Sequence, residues 1–169
     1  MSGKVRILGI DPGSRITGYG IIDLEGRSTA PVEWGSVRTA GEHGDRLKTI
    51  FGAFDGLVRK FAPDEVAVER VFMHRNPDSA LKLGQARAAA LCGTFSAEIP
   101  IYEYSARRIK KAIVGRGSAE KSQVGLMVRT ILGLRQELEP DAADALAAAL
   151  CHAHERGTRT VLDRLAEMT

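Results

Sequence analysis

From residue 140 to residue 150 the chain reads Pro140-Asp141-Ala142-Ala143-Asp144-Ala145-Leu146-Ala147-Ala148-Ala149-Leu150. Ala and Leu are strong helix formers, so this stretch predicts a helix with Asp141 and Asp144 three residues apart on one face. Asp144 is the only charged residue between Ala142 and Cys151. An ionised carboxylate beside so much apolar surface is costly unless a cation pairs with it. We therefore expect this helix to cover the body of the protein and to present its carboxylate pair to a cation.

The segments before this helix predict a mixed α/β fold. Short apolar runs bounded by turn residues predict strands at residues 4–11, 15–23, 30–38, 66–69 and 100–103. Helical periodicity predicts helices at residues 47–61, 79–97, 105–113, 119–132 and 141–156. Short turns make the first three strands antiparallel. We expect one α/β domain over residues 1–169, a five-stranded mixed sheet flanked by helices, with residues 157–169 as a frayed or short C-terminal tail.

Composition narrows the class of protein. With 169 residues, 44% of them hydrophobic and 27% charged, the chain suits a single soluble globular domain. No apolar run approaches the ~20 residues of a membrane-spanning helix, and the start lacks the apolar core of a signal peptide. We expect a cytoplasmic protein that makes no membrane contact.

Cys92 and Cys151 stand in Ala/Leu-rich segments without metal-ligand spacing, which predicts two small buried residues.

The basic residues are concentrated in one part of the chain. The net charge is only +3, but residues 107–121 carry six basic side chains and one acid, Glu120. A solvated helix face is one interpretation of this cluster, and a surface for nucleic acid is the other.

Two further acids stand where strands end. Asp11 ends the first predicted strand and Glu69 ends the fourth. If these strands are neighbours, both carboxylates emerge at one end of the sheet, where the covering helix adds Asp141 and Asp144. Four carboxylates that close repel one another unless divalent cations are bound, which predicts a Mg²⁺ or Mn²⁺ site with oxygen ligands. Two ions roughly 3.5–4 Å apart suit phosphodiester hydrolysis, as in a nuclease.

Each acid taken singly also has an ordinary interpretation. Asp11 before Pro-Gly is a common turn residue, Glu69 is a strand-end charge, and Asp141 favours the helix dipole. The four together favour the metal site.

Several motifs, in order along the chain, resemble those of the RuvC Holliday-junction resolvases. They are Ile10-Asp11-Pro12-Gly13-Ser14 with Thr17-Gly18-Tyr19-Gly20, Glu69-Arg70-Val71-Phe72-Met73, Asp78-Ser79-Ala80-Leu81-Lys82-Leu83-Gly84-Gln85-Ala86-Arg87, Val114-Gly115 with Gly117-Ser118-Ala119-Glu120-Lys121, and Asp141-Ala142-Ala143-Asp144-Ala145-Leu146. The resemblance spans about residues 5 to 155.

This resemblance implies an RNase H-like fold, a homodimer and an endonuclease that cuts four-way DNA junctions by symmetrical paired nicking. It also implies cooperation with the RuvA and RuvB branch-migration proteins in homologous recombination and DNA repair. By motif match, the catalytic and metal-binding positions are Asp11, Glu69, Asp141 and Asp144, with two Mg²⁺ ions per active site and Mn²⁺ as the alternative. We expect the small-residue helix from Leu81 to Gly93 to form much of the dimer interface.

The same resemblance suggests DNA contacts. Phe72 matches an aromatic residue that stacks on an unpaired base, an interaction worth ~1–3 kcal/mol. Lys110 and Lys121 match basic positions near the active site that bind phosphates. Further candidate DNA contacts are Arg75, Lys82 and Arg87.

Two other residues near the motifs have open roles. Arg70 stands where relatives often carry an uncharged polar residue, and it either contacts a phosphate or pairs with Glu69. His152 follows Asp144 by two helical turns, so we do not count it among the metal ligands.

Two other classes of function are open to this sequence. Residues 8–20 also resemble the first phosphate loop of actin-like ATPases and sugar kinases, which would make the chain a fragment of an ATP phosphotransferase. The second half that such enzymes need is missing here. A non-catalytic branched-DNA-binding module is the other alternative, but four carboxylates would repel phosphate and give such a module nothing.

Overall fold

The chain folds into five strands and five helices within residues 3–71 and 76–167, the part that this computed structural model describes, with side chains up to residue 158. The strands are β1 (Val5–Asp11), β2 (Ile16–Glu25), β3 (Ser28–Arg38), β4 (Glu65–Glu69) and β5 (Ile101–Tyr104). The helices are α1 (His43–Phe61), α2 (Pro77–Cys92), α3 (Ala106–Val114), α4 (Lys121–Leu132) and α5 (Pro140–Glu167).

The strands form one mixed sheet in the order β3-β2-β1-β4-β5. β1, β2 and β3 pair antiparallel, whereas β1, β4 and β5 run parallel. The predicted five-stranded mixed sheet is confirmed, and so is the condition that strands one and four are neighbours.

Helices cover both faces of the sheet. Apolar side chains of α1 and α2 pack on one face with Leu8, Ile10 and Val68. Helices α3, α4 and α5 pack on the other face with Ile7 and Ala67. Because side chains alternate along a strand, Gly9, Asp11 and Glu69 are on the face that α5 covers.

Glycines let α5 lie directly on the strands. Gly9 pairs with Gly20, and Gly18 pairs with Asp11. A Cβ atom on Gly18 would stand 2.0 Å from the carbonyl oxygen of Asp141, and one on Gly9 would stand 2.0 Å from that of Ala145. Only glycine permits this approach, so the first two turns of α5 sit against β1 and β2.

Some predicted boundaries are wrong. Helix α2 ends at Cys92 rather than residue 97, because Gly93 turns against the backbone of α1, where a Cβ would stand 2.7 Å from the carbonyl oxygen of Phe51. Cys92 is exposed, contrary to expectation, whereas Cys151 is buried as expected. Helix α5 continues through Gly157 to Glu167 instead of ending at residue 156. No helix in the described part of the chain is long and apolar enough to span a membrane.

Candidate active site

Asp11 and Glu69 lie side by side where two parallel strands end. Ile10 is in register with Val68, so the following residues, Asp11 and Glu69, occupy the same edge of the sheet. Adjacent strands are about 4.8 Å apart. Both carboxylates are half-buried on the α5 face.

Helix α5 brings the second pair of acids to this edge. The backbone of Asp141 packs on Gly18, which is itself the pairing partner of Asp11. Asp144 follows about one turn later, and its side chain is 19% exposed. The Ala-rich sequence around it is almost wholly buried, so the helix cannot rotate these acids into solvent without exposing its apolar face.

The four acids act on one another electrostatically. Burial, the largest cause, and the charges of Asp144, Glu69 and Asp141 together raise the pKa of Asp11 to about 8, against the opposing charge of Lys121. Burial also raises the pKa of Glu69, again with a contribution from Asp144. The charges of Asp144, Glu69 and Asp141 therefore all act on Asp11 in the folded chain.

Two lysines balance this negative charge. Lys121, the first residue of α4, places its Nζ 2.8 Å from Asp144 Oδ2. This hydrogen bond, together with the charge of Asp144, raises the pKa of Lys121. Lys110 on α3 lowers the pKa of Glu69 by its charge. Both lysines that the sequence singled out thus stand beside the acids.

The donor set suits a hard divalent cation. It consists of carboxylate oxygens alone, the ligands that Mg²⁺ and Mn²⁺ prefer. Burial and the neighbouring carboxylates both disfavour the ionised form of Asp11, and a bound cation would favour that form. Within residues 3–71 and 76–167, no three His, Cys, Asp or Glu side chains already stand in the geometry of a metal site. The ammonium group of Lys121 is the cation bonded to this cluster.

Comparison with known proteins gives the family. Residues 7–152 match the model of the family described as crossover junction endodeoxyribonuclease RuvC. The chain belongs to the RuvC family.

Individual members support this assignment. A protein of that name from Halorhodospira halophila is 56% identical over 153 residues, which are 89% of this chain and 91% of the relative. One from Marinobacter nauticus is 54% identical over 149 residues, 88% of this chain and 85% of the relative. A solved structure of T. thermophilus RuvC in complex with Holliday junction substrate has TM-score 0.86 and 36% identity, covering 92% of this chain and 97% of that chain. The expected RNase H-like fold is confirmed, and the ATP-phosphotransferase alternative is not supported.

Two other DNA-binding candidates of this RuvC-family chain, Lys82 and Arg87, lie on α2. Lys82 pairs with Asp78 at 2.7 Å on α2, on the opposite face of the sheet from α5. Arg87, also on α2, donates from Nη2 to Glu103 Oε1 at 2.6 Å. Phe72 and Arg75 lie outside the described residues.

Arg70 does not form the expected pair with Glu69. Its Nε lies 3.7 Å from Glu103 Oε2, so Arg70 and Arg87 flank the same carboxylate. Successive residues of a strand point to opposite faces, and Arg70 therefore emerges opposite Glu69 at the same edge of the sheet.

The basic segment at residues 107–121 is partly used inside the fold. Arg108 donates two hydrogen bonds to Glu155, at 2.8 and 2.7 Å, and so holds α3 against α5. Arg116 donates to Gln123 at 3.2 Å. Charge counting along the sequence did not reveal these partners, because Glu155 is 47 residues from Arg108.

A buried polar cluster around His152 was not apparent from the sequence. His152 hydrogen-bonds to Tyr104 and Glu65 instead of approaching the four acids. Glu65 and Tyr104 each lie one residue outside the predicted strands 66–69 and 100–103, and no local spacing links them to His152.

Proposed function

We propose that this protein is a structure-specific endonuclease that resolves four-way (Holliday) DNA junctions by symmetrical paired nicking, in homologous recombination and repair. The observation that carries the proposal is the convergence of Asp11, Glu69, Asp141 and Asp144 on one edge of the sheet. Membership of the RuvC family supports it, as does the similarity to a member that was solved with its junction substrate. Carboxylates packed this closely favour a metal-assisted phosphodiesterase over a simple DNA-binding surface.

The four acids would hold two Mg²⁺ ions, with Mn²⁺ as the alternative. Bound ions would supply an activated water and stabilise the leaving oxygen, so that one P–O bond forms from water as one P–O ester bond breaks. The chain's own part is to fix its carboxylates around the scissile phosphate: Asp11 and Glu69 from adjacent strands, Asp141 and Asp144 from α5. Lys121 stays protonated through the pH range of the reaction, since Asp144 raises its pKa, and with Lys110 it binds the phosphate charge.

Symmetrical nicking requires two copies of this site. In a homodimer, a two-fold axis places two active sites against strands of like polarity. We assign much of the interface to the segment from Leu81 to Gly93, where the side chain of Leu81 is 68% exposed. Ala86 and Ala90 of that segment are buried within the chain, so the opposite side of α2 faces the partner.

The remaining assignments follow from the family. Phe72 stacks on an unpaired base near the junction centre, and phosphate contacts come from Arg75, Lys82 and Arg87. The chain works as one domain over residues 1–169, in the cytoplasm, with RuvA and RuvB as partners.

Cleavage of synthetic junctions tests the proposal. Wild type and Asp144→Asn are incubated with mobile and immobile four-way junctions and with linear duplex, in Mg²⁺ and in Mn²⁺. We expect paired nicks in the junctions and intact duplex. The variant should bind the junction but cut it at least about 100-fold more slowly, a loss comparable to that of other groups that stabilise charge in a transition state.

A matched control is Asp55→Asn, because Asp55 also pairs with a basic residue but lies on α1, far from the acids. It should cut normally. If Asp144→Asn cuts at the wild-type rate, the assignment to α5 is wrong. If wild type binds junctions and never cuts them, the protein is a binding module.

A further inference from the structure

A buried hydrogen-bonded cluster joins α5 to Glu65, at the start of β4, and to Tyr104, which pairs with Glu69 on β5. His152 is 1% exposed. Its Nε2 lies 2.6 Å from Glu65 Oε2, and its Nδ1 lies 2.7 Å from the Tyr104 hydroxyl. The ring also stacks on Tyr102, with 4.3 Å between the ring centroids. Both ring nitrogens and one face of this imidazole therefore have defined neighbours.

Glu65 is ionised in this cluster. Burial raises its pKa, but hydrogen bonds from His152 and Arg156 outweigh burial and hold it below its usual value. The carboxylate accordingly accepts the Nε2–H of His152, and it accepts the Nε–H of Arg156 at 3.1 Å. Charge-assisted hydrogen bonds of this kind are directional and roughly twice as strong as neutral ones.

The spacing of the cluster matches the spacing of the acids. Glu65 and Glu69 are four residues apart on β4, which is about 13 Å, and both point to the α5 face. Asp144 and His152 are eight residues apart on α5, which is about 12 Å. Asp144 interacts with Glu69, and His152 bonds to Glu65. The strand and the helix thus meet at two points, and the distance between these points is nearly the same along β4 as along α5.

The electrostatic interaction is repulsive at one of these two points and attractive at the other. At the acids, Glu69 and Asp144 are two carboxylates, and like charges this close repel each other. Between the two points, α5 contacts the sheet through Ala145 and Ala149, which lie against Gly9, and through Leu146, which lies against Gly20. The hydrogen bonds of His152 add a directional, attractive contact at the far end of this packed interface.

From these observations we infer that His152 is a positioning residue, which holds α5 at the height along β4 where Asp144 faces Glu69. It acts through Glu65 and Tyr104 and touches neither metal nor DNA. The inference rests on the proposed function, because it assumes that the acids hold the metal. A displacement of about 1 Å caused by a remote substitution can slow a reaction about 100-fold.

Three variants separate positioning from simple stability. His152→Ala removes both hydrogen bonds, and Tyr104→Phe removes only the hydroxyl at Nδ1. Val128→Ala is the matched control, because Val128 is fully buried in the same apolar cluster but lies on α4. For each protein we would measure the Tm without metal, the Mn²⁺ concentration that gives half of the full rise in Tm, the Kd for a junction without metal, and the cleavage rate in saturating metal.

We expect His152→Ala to raise the half-saturating Mn²⁺ concentration about tenfold and to slow cleavage about ten- to 100-fold. Junction affinity without metal should change less than about twofold, because no phosphate contact is lost. Tyr104→Phe should also raise the half-saturating Mn²⁺ concentration and slow cleavage, but each by a smaller factor than His152→Ala. Val128→Ala should lower the Tm and leave metal response and rate at the wild-type values.

The inference is overturned if His152→Ala lowers the Tm as the control does and keeps the wild-type metal response and rate. Should His152→Ala fail to fold, Tyr104→Phe and His152→Gln decide the matter, and wild-type metal response in both overturns it. The proposed function fails separately, when the wild-type protein itself leaves junctions uncut.

Discussion

The Nζ atom of Lys121 lies 2.8 Å from Oδ2 of Asp144 and joins the start of α4 to the acid cluster on α5. The lysine is mostly exposed, whereas the aspartate is mostly buried. An exposed ammonium group therefore stands beside the buried acids that we propose hold the metal.

Loss of this cation should slow cleavage. Lys121→Ala leaves Asp144, Asp11 and Glu69 without the charge that offsets their repulsion. We expect the cleavage rate to fall about ten- to 100-fold, with partial recovery in Lys121→Arg, which keeps the charge. Lys111→Ala is the control, because Lys111 is exposed on α3 and influences none of the acids. Equal losses in Lys121→Ala and Lys111→Ala would mean that only overall charge matters.

Asp11 should make the metal-free protein less stable as the pH rises. The folded protein keeps Asp11 protonated up to about pH 8, whereas the unfolded chain ionises it near pH 4. Between these values the folded state binds the extra proton, so each rise in pH favours unfolding. Asp11→Asn lacks this penalty. The amount by which its Tm in EDTA exceeds that of wild type should therefore be larger at pH 9 than at pH 5.5. Partial exposure screens the effect, so a few degrees is the expected scale.

A difference in Tm that is larger at pH 5.5 than at pH 9 would contradict the burial of Asp11 among like charges. A difference in Tm that is the same at both pH values would assign the gain to packing alone.

Close packing of α5 on the sheet can be tested with two glycines. Gly18→Ala would place its Cβ 2.0 Å from the carbonyl oxygen of Asp141, forcing the first turn of α5 outward. We expect a lower Tm and a cleavage rate reduced more than about tenfold. Gly56→Ala is the control, since nothing lies within 4 Å of its Cβ position on α1. That substitution should stabilise the protein by about 0.5–1 kcal/mol and leave cleavage unchanged. Normal cleavage in Gly18→Ala would show that Asp141 tolerates displacement.

Salt dependence can test the DNA contact assigned to Arg87. If Arg87 leaves Glu103 to neutralise a phosphate, Arg87→Ala should reduce the slope of log association constant against log salt by about 0.9. Arg59→Ala removes an arginine from a comparable ion pair, with Asp55, on α1. Its slope should equal that of wild type. An unchanged slope in Arg87→Ala would make the Arg87–Glu103 pair a purely structural contact between α2 and β5.

Local pattern was enough to find the elements of this fold and the acids. The strand ends at Asp11 and Glu69 and the helix carrying Asp141 and Asp144 follow from periodicity, which depends on neighbouring residues only. The expected adjacency of β1 and β4 is present, and it brings Asp11 and Glu69 to one edge of the sheet.

Long-range contacts were beyond the same reasoning. The bond between Glu65 and His152 joins residues 87 positions apart, and nothing in either local sequence marks the other. The glycines of β1 and β2 were visible in the sequence, but their role in close packing depends on which helix covers that face of the sheet. The end of α2 at Cys92 was missed for a related reason, because Gly93 is placed by contact with α1 rather than by propensity.

The seating of Asp141 on Gly18 has a consequence for how the protein is made. Asp11 is synthesised first, and its partners on α5 follow 130 and 133 residues later. A ribosome-bound or truncated chain that stops before Pro140 carries half of the proposed carboxylate set and lacks the helix that closes it. The proposed site is therefore complete only after α5 has been synthesised, and a chain that stops before Pro140 carries no complete set of the four acids.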